Sequence, residues 1–217
     1  MDHIERNYEI IREKMIEQME HSLEFGKSLI DSELDAGLFN FLVKPVVKSF
    51  YKYWSENDAK QGTLQQIDAT LECGKKIVEN GISEAEKKEV IEEYFPKYLK
   101  GDQTYRQCSK SHRNFNDLKQ ITKDCFITQV DEVVKFLKVE EEIDDYDDLT
   151  KSAYKSKEEA FKALETQLNF NDAGIKVVEK NPSILKVPTG KKVILKVLRK
   201  GFEDTKRELM GNIRRIY

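Results

Sequence analysis

Residues 1–30, MDHIERNYEIIREKMIEQMEHSLEFGKSLI, carry Ile4, Tyr8, Ile11, Met15, Met19, Leu23 and Ile30 at steps of three, four and seven. Such steps return to one side of a helix with 3.6 residues per turn. The stretch therefore predicts a long amphipathic helix with one apolar face. The same spacing recurs along the chain. Leu64, Ile67, Leu71, Gly74 and Val78 share a face in 63–80, and Leu149, Ala153, Ala160, Leu164 and Leu168 in 149–170. In 102–139 the pattern places Tyr105, Cys108, His112, Phe115, Phe126, Val130, Val133 and Leu137 together. The tail shows Ile194, Leu198, Phe202, Leu209, Ile213 and Ile216. Lys191–Lys200 (KKVILKVLRK) is rich enough in Val and Ile to leave helix and strand open there.

Helix starts are marked by capping-box pairs: Asp2 with Glu5, Thr63 with Gln66, Ser83 with Glu86, and Ser156 with Glu159. Breaks are expected at 35–37, 57–62, Asn80-Gly81, Gly101-Asp102, 140–148 and 181–190. Pro96 is expected to end or kink its helix. The expected fold is all-α, a multi-helix bundle of about six to eight helices. The chain reads as one domain, 1–217, divisible into helical groups 1–100 and 101–217 that would stack as two sub-bundles.

Composition agrees with this class. The chain has 217 residues, 35% of them charged, with 10 Gly and 4 Pro. All-β folds need more turn residues than that. With 11 Phe, 9 Tyr and 1 Trp it is too aromatic for a disordered chain. The first ten residues are charged, so no secretory signal is expected. No apolar run approaches the roughly 20 residues of a membrane span. Cys73, Cys108 and Cys125 lack CxxC spacing and read as reduced thiols of a cytoplasmic protein.

Four constellations invite a functional reading. Helix 37–54, GLFNFLVKPVVKSFYKYW, has no acid and sets Lys44, Lys48 and Lys52 in one stripe beside a wide aromatic face. That combination suits a partner-binding helix, with Phe50, Tyr53 and Trp54 as interface candidates, or a buried bundle helix. In the first helix, Glu17, Glu20, His21 and Glu24 have metal-ligand spacings, but they lie away from the apolar face and read as solvated. His112 falls on an apolar stripe one turn after Cys108, with Tyr105 before and Lys119 and Thr122 after. These five are the ligand or metal candidates, because a polar interruption in an apolar stripe must be bonded, solvated or functional. The competing readings are a satisfied, half-buried histidine and a helix break near 114–117 that resets the phase. No cofactor is predicted beyond that metal option.

Residues 144–148, DDYDD, resemble the Asp-Asp-x-x-Asp motif of prenyl-diphosphate synthases. In those all-helical enzymes the aspartates hold Mg²⁺ on a diphosphate. The resemblance covers five residues, and no second aspartate-rich motif accompanies it. The run reads as an acidic connection whose Asp residues favour the start of the next helix. The tail 186–217 has ten basic residues against three acids, a charge of +7 on a chain of −3. Lys191, Lys192, Lys196, Arg199, Lys200, Arg214 and Arg215 are the anion-binding candidates. An anionic membrane surface, nucleic acid as a minority reading, and docking on the acidic body all fit them.

No phosphate loop, nucleophile elbow or redox Cys pair is present. The sequence thus leans away from an enzyme. The leading expectation is a protein–protein interaction module, a homodimer among the options. The alternative is a metal or small-molecule site near Cys108 and His112.

Overall fold

The computed structural model describes residues 2–35, 58–186 and 191–217. Among them the fold is all-helical, with eight α-helices and no strand. They are α1 (His3–Asp35), α2 (Asp58–Glu79), α3 (Lys87–Gly101), α4 (Gln103–Arg106), α5 (Phe115–Leu137), α6 (Tyr146–Ala153), α7 (Lys157–Lys180) and α8 (Lys191–Ile216). A short 3-10 turn, Pro182–Ile184, precedes α8. None of the described helices is long and apolar enough to cross a membrane.

Helix boundaries follow local chemistry at several points. Ser156 accepts the Glu159 N–H at 3.2 Å and starts α7. Glu86 accepts both the Ser83 N–H and its hydroxyl, at 3.2 and 2.6 Å. Gly81 closes α2 with φ of 57°, and Ile82 N–H reaches back to the Ile77 carbonyl at 3.0 Å. That is the left-handed cap that a glycine adopts without strain.

Three expectations are corrected. The 102–139 pattern is not one helix: α4 ends at Arg106 and α5 begins at Phe115. Residues 107–114 turn, so the phase resets between His112 and Phe115, and Tyr105, Cys108 and His112 share no helical face. Thr63 and Gln66 lie inside α2, which already runs from Asp58. Pro96 does not end α3, which continues to Gly101. A proline lacks one donor, and burial of Phe95 and Tyr98 on either side outweighs that loss. Lys191–Lys200 is helical, the first part of α8. Helix 37–54 lies outside the described residues.

Helix α5 is the hub. It packs on α1, α2, α3 and α7, while α8 closes against α1 and α7. Ion pairs record the directions. Lys60 to Glu20 at 2.7 Å and Arg12 to Asp68 at 3.5 Å set α1 antiparallel to α2. Lys76 to Glu93 at 2.7 Å and Lys97 to Glu72 at 3.4 Å set α2 antiparallel to α3. Buried Asn7 on α1 donates to the Phe136 and Val139 carbonyls at 3.1 and 2.8 Å, satisfying the exposed end of α5. The largest core cluster draws on both halves of the chain, from Ile11 and Met19 through Leu71 to Leu137, Leu149 and Ala160. A second cluster gathers Phe95 and Tyr98 around Phe126, which has no accessible surface.

Candidate functional site

Among the described residues, helices α1, α2, α5, α7 and α8 leave space between them. Between them lies a cavity of about 620 Å³, bordered also by the C-terminal end of α3. That volume lies within the range of small-molecule sites, roughly 300–1,000 Å³. Apolar walls come from Met19 on α1, Ile67 on α2, Leu118 on α5 and Phe202 on α8, among others. Polar side chains line it on each of the five helices as well, Ser22, Thr70, Gln129, Asn171 and Thr205 among them, with Thr122 and Asp102.

Asp102 is the residue that stops α3. Its backbone N–H bonds the Leu99 carbonyl, and its Oδ1 accepts the Tyr105 N–H at 2.9 Å, which starts α4. The Thr122 hydroxyl has one proton, shared between Oδ2 at 3.3 Å and the nearer Leu118 carbonyl at 3.0 Å. The residue is half-buried by accessible area, yet protein encloses its carboxyl. Its remaining surface borders the cavity. Burial raises its pKa, against hydrogen bonds that lower it. Nearby, the Cys125 thiol is pushed up to about 11 by burial, so it stays protonated at neutral pH. It lies 3.7 Å from the Gln129 amide and 3.9 Å from Asn171 Oδ1.

Of the five ligand candidates, Tyr105 and Cys108 share one core cluster, and Asp102 links the Tyr105 N–H to the Thr122 hydroxyl. Tyr105 rests on the Phe115 ring, centroids 4.5 Å apart. Cys108 is fully buried with Ile184 and Leu185, and burial pushes its thiol up to about 12. His112 Nδ1 accepts the Asn114 N–H at 3.2 Å, and Nε2 sits 3.3 Å from the Ser183 hydroxyl. Lys119 is exposed. Thr122 is the one of the five that borders the cavity. Among the described residues no group of three or more His, Cys, Asp and Glu side chains is placed to hold a metal ion. Glu17 and Glu20 pair with Lys14 and Lys60, each at 2.7 Å, and His21 faces Glu208 at 3.5 Å.

The acidic run has a local role. Asp145 accepts the Asp148 N–H at 2.8 Å and caps α6. Asp147 pairs with Arg215 at 2.8 Å, and Asp148 with Lys151 at 2.8 Å. Of the basic candidates, Arg215 thus docks on the acidic run, and Arg199 holds Glu179 and Asp172 on α7. Lys192, Lys200 and Arg214 are exposed and Lys191 is half-buried, while Lys196 is engaged in the fold. The interface candidates Phe50, Tyr53 and Trp54 lie outside the described residues. Among those described, Tyr217 is the one large hydrophobic that stands exposed, at 39%.

A smaller cavity of about 160 Å³ lies between α5, α6, α7 and α8, lined by Glu132, Tyr146, Leu209 and Ile213. Glu132 Oε2 is buried without a hydrogen-bond partner. Burial pushes its pKa from 4.5 up to about 7, with Lys135 opposing. A raised carboxyl favours the folded state below 4.5, and that contribution is lost as pH rises through about 7. Glu132→Gln should therefore raise stability at pH 8 by about 1–3 kcal/mol, discounted for partial exposure. Near pH 4 it should change little. Thermal unfolding of both proteins across pH 4–8 measures the difference, and parallel curves would count against it.

Asp102 carried no signal in the sequence beyond a helix break after Gly101. Comparison with protein-family models, curated proteins and solved structures finds no match for the chain.

Proposed function

We propose that this protein binds a small, predominantly apolar molecule in the cavity between α1, α2, α5, α7 and α8. The observation that supports this reading is the cavity itself: about 620 Å³, with more apolar than polar wall and a single charged side chain among the described lining residues. Well-formed cores leave few voids larger than a water molecule, because each lost contact destabilises the fold. A space of this size at the junction of five helices is the kind of site that bundles use for ligands. The reading replaces Cys108 and His112 with Asp102, Thr122, Gln129 and Asn171 as the polar contacts.

A neutral apolar dye such as Nile red tests the site. Gly174 borders the cavity, and a Cβ built there meets only Leu118 and Ile121, at 3.7 and 3.9 Å. Gly174→Leu thus has room and gains about 1 kcal/mol of helix propensity. The wild type should bind the dye saturably, and Gly174→Leu should weaken binding by about tenfold. Failure of the wild type to bind any dye, or equal binding by the filled variant, would remove the site.

A further inference from the structure

The charge of the cavity says more than its size. Among the described lining residues there is no Lys, Arg, His or Glu, and Asp102 is the one acid. Its carboxylate has roughly four acceptor positions. Backbone N–H groups of Tyr105 and Thr104 and the Thr122 hydroxyl occupy three. All three donors are neutral, and among the described residues that line the cavity no cation stands beside the carboxyl. A carboxyl so placed either stays protonated, the direction in which burial pushes it, or gains by taking a cation.

A helix start favours a negative charge only weakly, by less than burial of that charge costs, so capping accounts for it only in part. Starting α4 requires an acceptor oxygen, which Asn or Ser supplies equally well with no charge to desolvate. What Asp adds at this position is a negative charge at the edge of an apolar cavity. We infer that the ligand is an organic cation, an apolar body carrying a protonated amine that pairs with Asp102. This rests on the cavity being a ligand site. An amphiphile of opposite sign, an alkyl carboxylate, would meet Asp102 with like charge and find no base to hold it. Residual binding energy comes from the apolar walls, so the amine end alone is insufficient and the body must be several carbons long.

Matched eight-carbon probes separate the two claims. Octylamine, 1-octanol and octanoate are titrated calorimetrically into the full chain at pH 7.5. Octylamine should bind about 10- to 100-fold more tightly than octanol, the range of a charge-assisted hydrogen bond, and octanoate should bind weakest. Asp102→Asn, which retains an acceptor for the Tyr105 N–H, should bring octylamine down to the level at which the same variant binds octanol. Equal affinity of wild type for octylamine and octanol overturns the inference but leaves the cavity reading standing. Undiminished octylamine binding by a folded Asp102→Asn also overturns it. Absence of binding by all three probes and by Nile red overturns both. Should Asp102→Asn fail to fold, the wild-type ratio of amine to alcohol affinity decides alone.

Discussion

Gly101→Ala should lower stability by about 3 kcal/mol, a loss of roughly 6–12 °C in Tm for a chain of this length. A Cβ built on Gly101 falls 2.3 Å from the Gly62 carbonyl oxygen and 2.9 Å from Gln66 Cγ. Ordinary contact is about 3.5–4 Å. Glutamine can swing away, but a backbone carbonyl inside α2 cannot move without moving the helix. The two helices must therefore separate at this crossing, and that opens the core around Ile67 and Tyr98. Gly74 provides the contrast. Its added Cβ falls 2.5 Å from Val133 Cγ1, a side-chain atom on α5. Gly74→Ala should thus be largely rescued by Val133→Ala in a double-mutant cycle. No single side-chain deletion should rescue Gly101→Ala. Denaturant unfolding of the four variants measures this, and a Gly101→Ala protein within 1 kcal/mol of wild type, roughly RT ln 5, would refute the close approach.

Phe126→Ala should cost about 3–5 kcal/mol. Phe126 has no accessible surface, and its ring lies against Tyr98 and Phe95 at centroid distances of 4.7 and 6.0 Å. Deleting it removes the burial of the ring and leaves a void that three helices share, so neighbours relax into it only in part. The effect should also reach the candidate site. Tyr98 is held between Phe126 and the cavity, where its hydroxyl meets Cys125. Loss of the ring behind it should weaken Nile red binding as well as stability. Phe126→Leu should recover more than half of the stability, since most of the volume returns. Urea unfolding together with dye titration checks both parts. A variant destabilised as stated, with binding unchanged, would separate Tyr98 from the site.

The residues show where sequence reasoning works. Ile4 to Leu23 at helical spacing predicted α1, and it is a helix from His3 to Asp35. Ser156-Glu159 and Asn80-Gly81 marked real ends, because capping is a property of a few consecutive residues. The reading of DDYDD as an acidic connection favouring the next helix agrees with Asp145 capping α6. The stripe Tyr105-Cys108-His112 admitted a helix break near 114–117 as one of its readings, and the structure holds a break, over 107–114. Periodicity assumes an unbroken helix, and a short turn at 107–114 leaves similar spacings while resetting the phase.

The sequence by itself determined the helical class, most helix ends and the partition of charge between an acidic body and a basic tail. Each of these depends on neighbours within a turn or two of one helix, or on composition alone. Only the tertiary structure decided that Arg199 and Arg215 dock on the acidic body, that α2 and α3 touch at Gly62 and Gly101, and that Asp102 borders a cavity. Those facts depend on how helices distant in the chain cross one another. The cavity is the volume their side chains leave unfilled, and no residue in the sequence carries the mark of an absence that several helices create together.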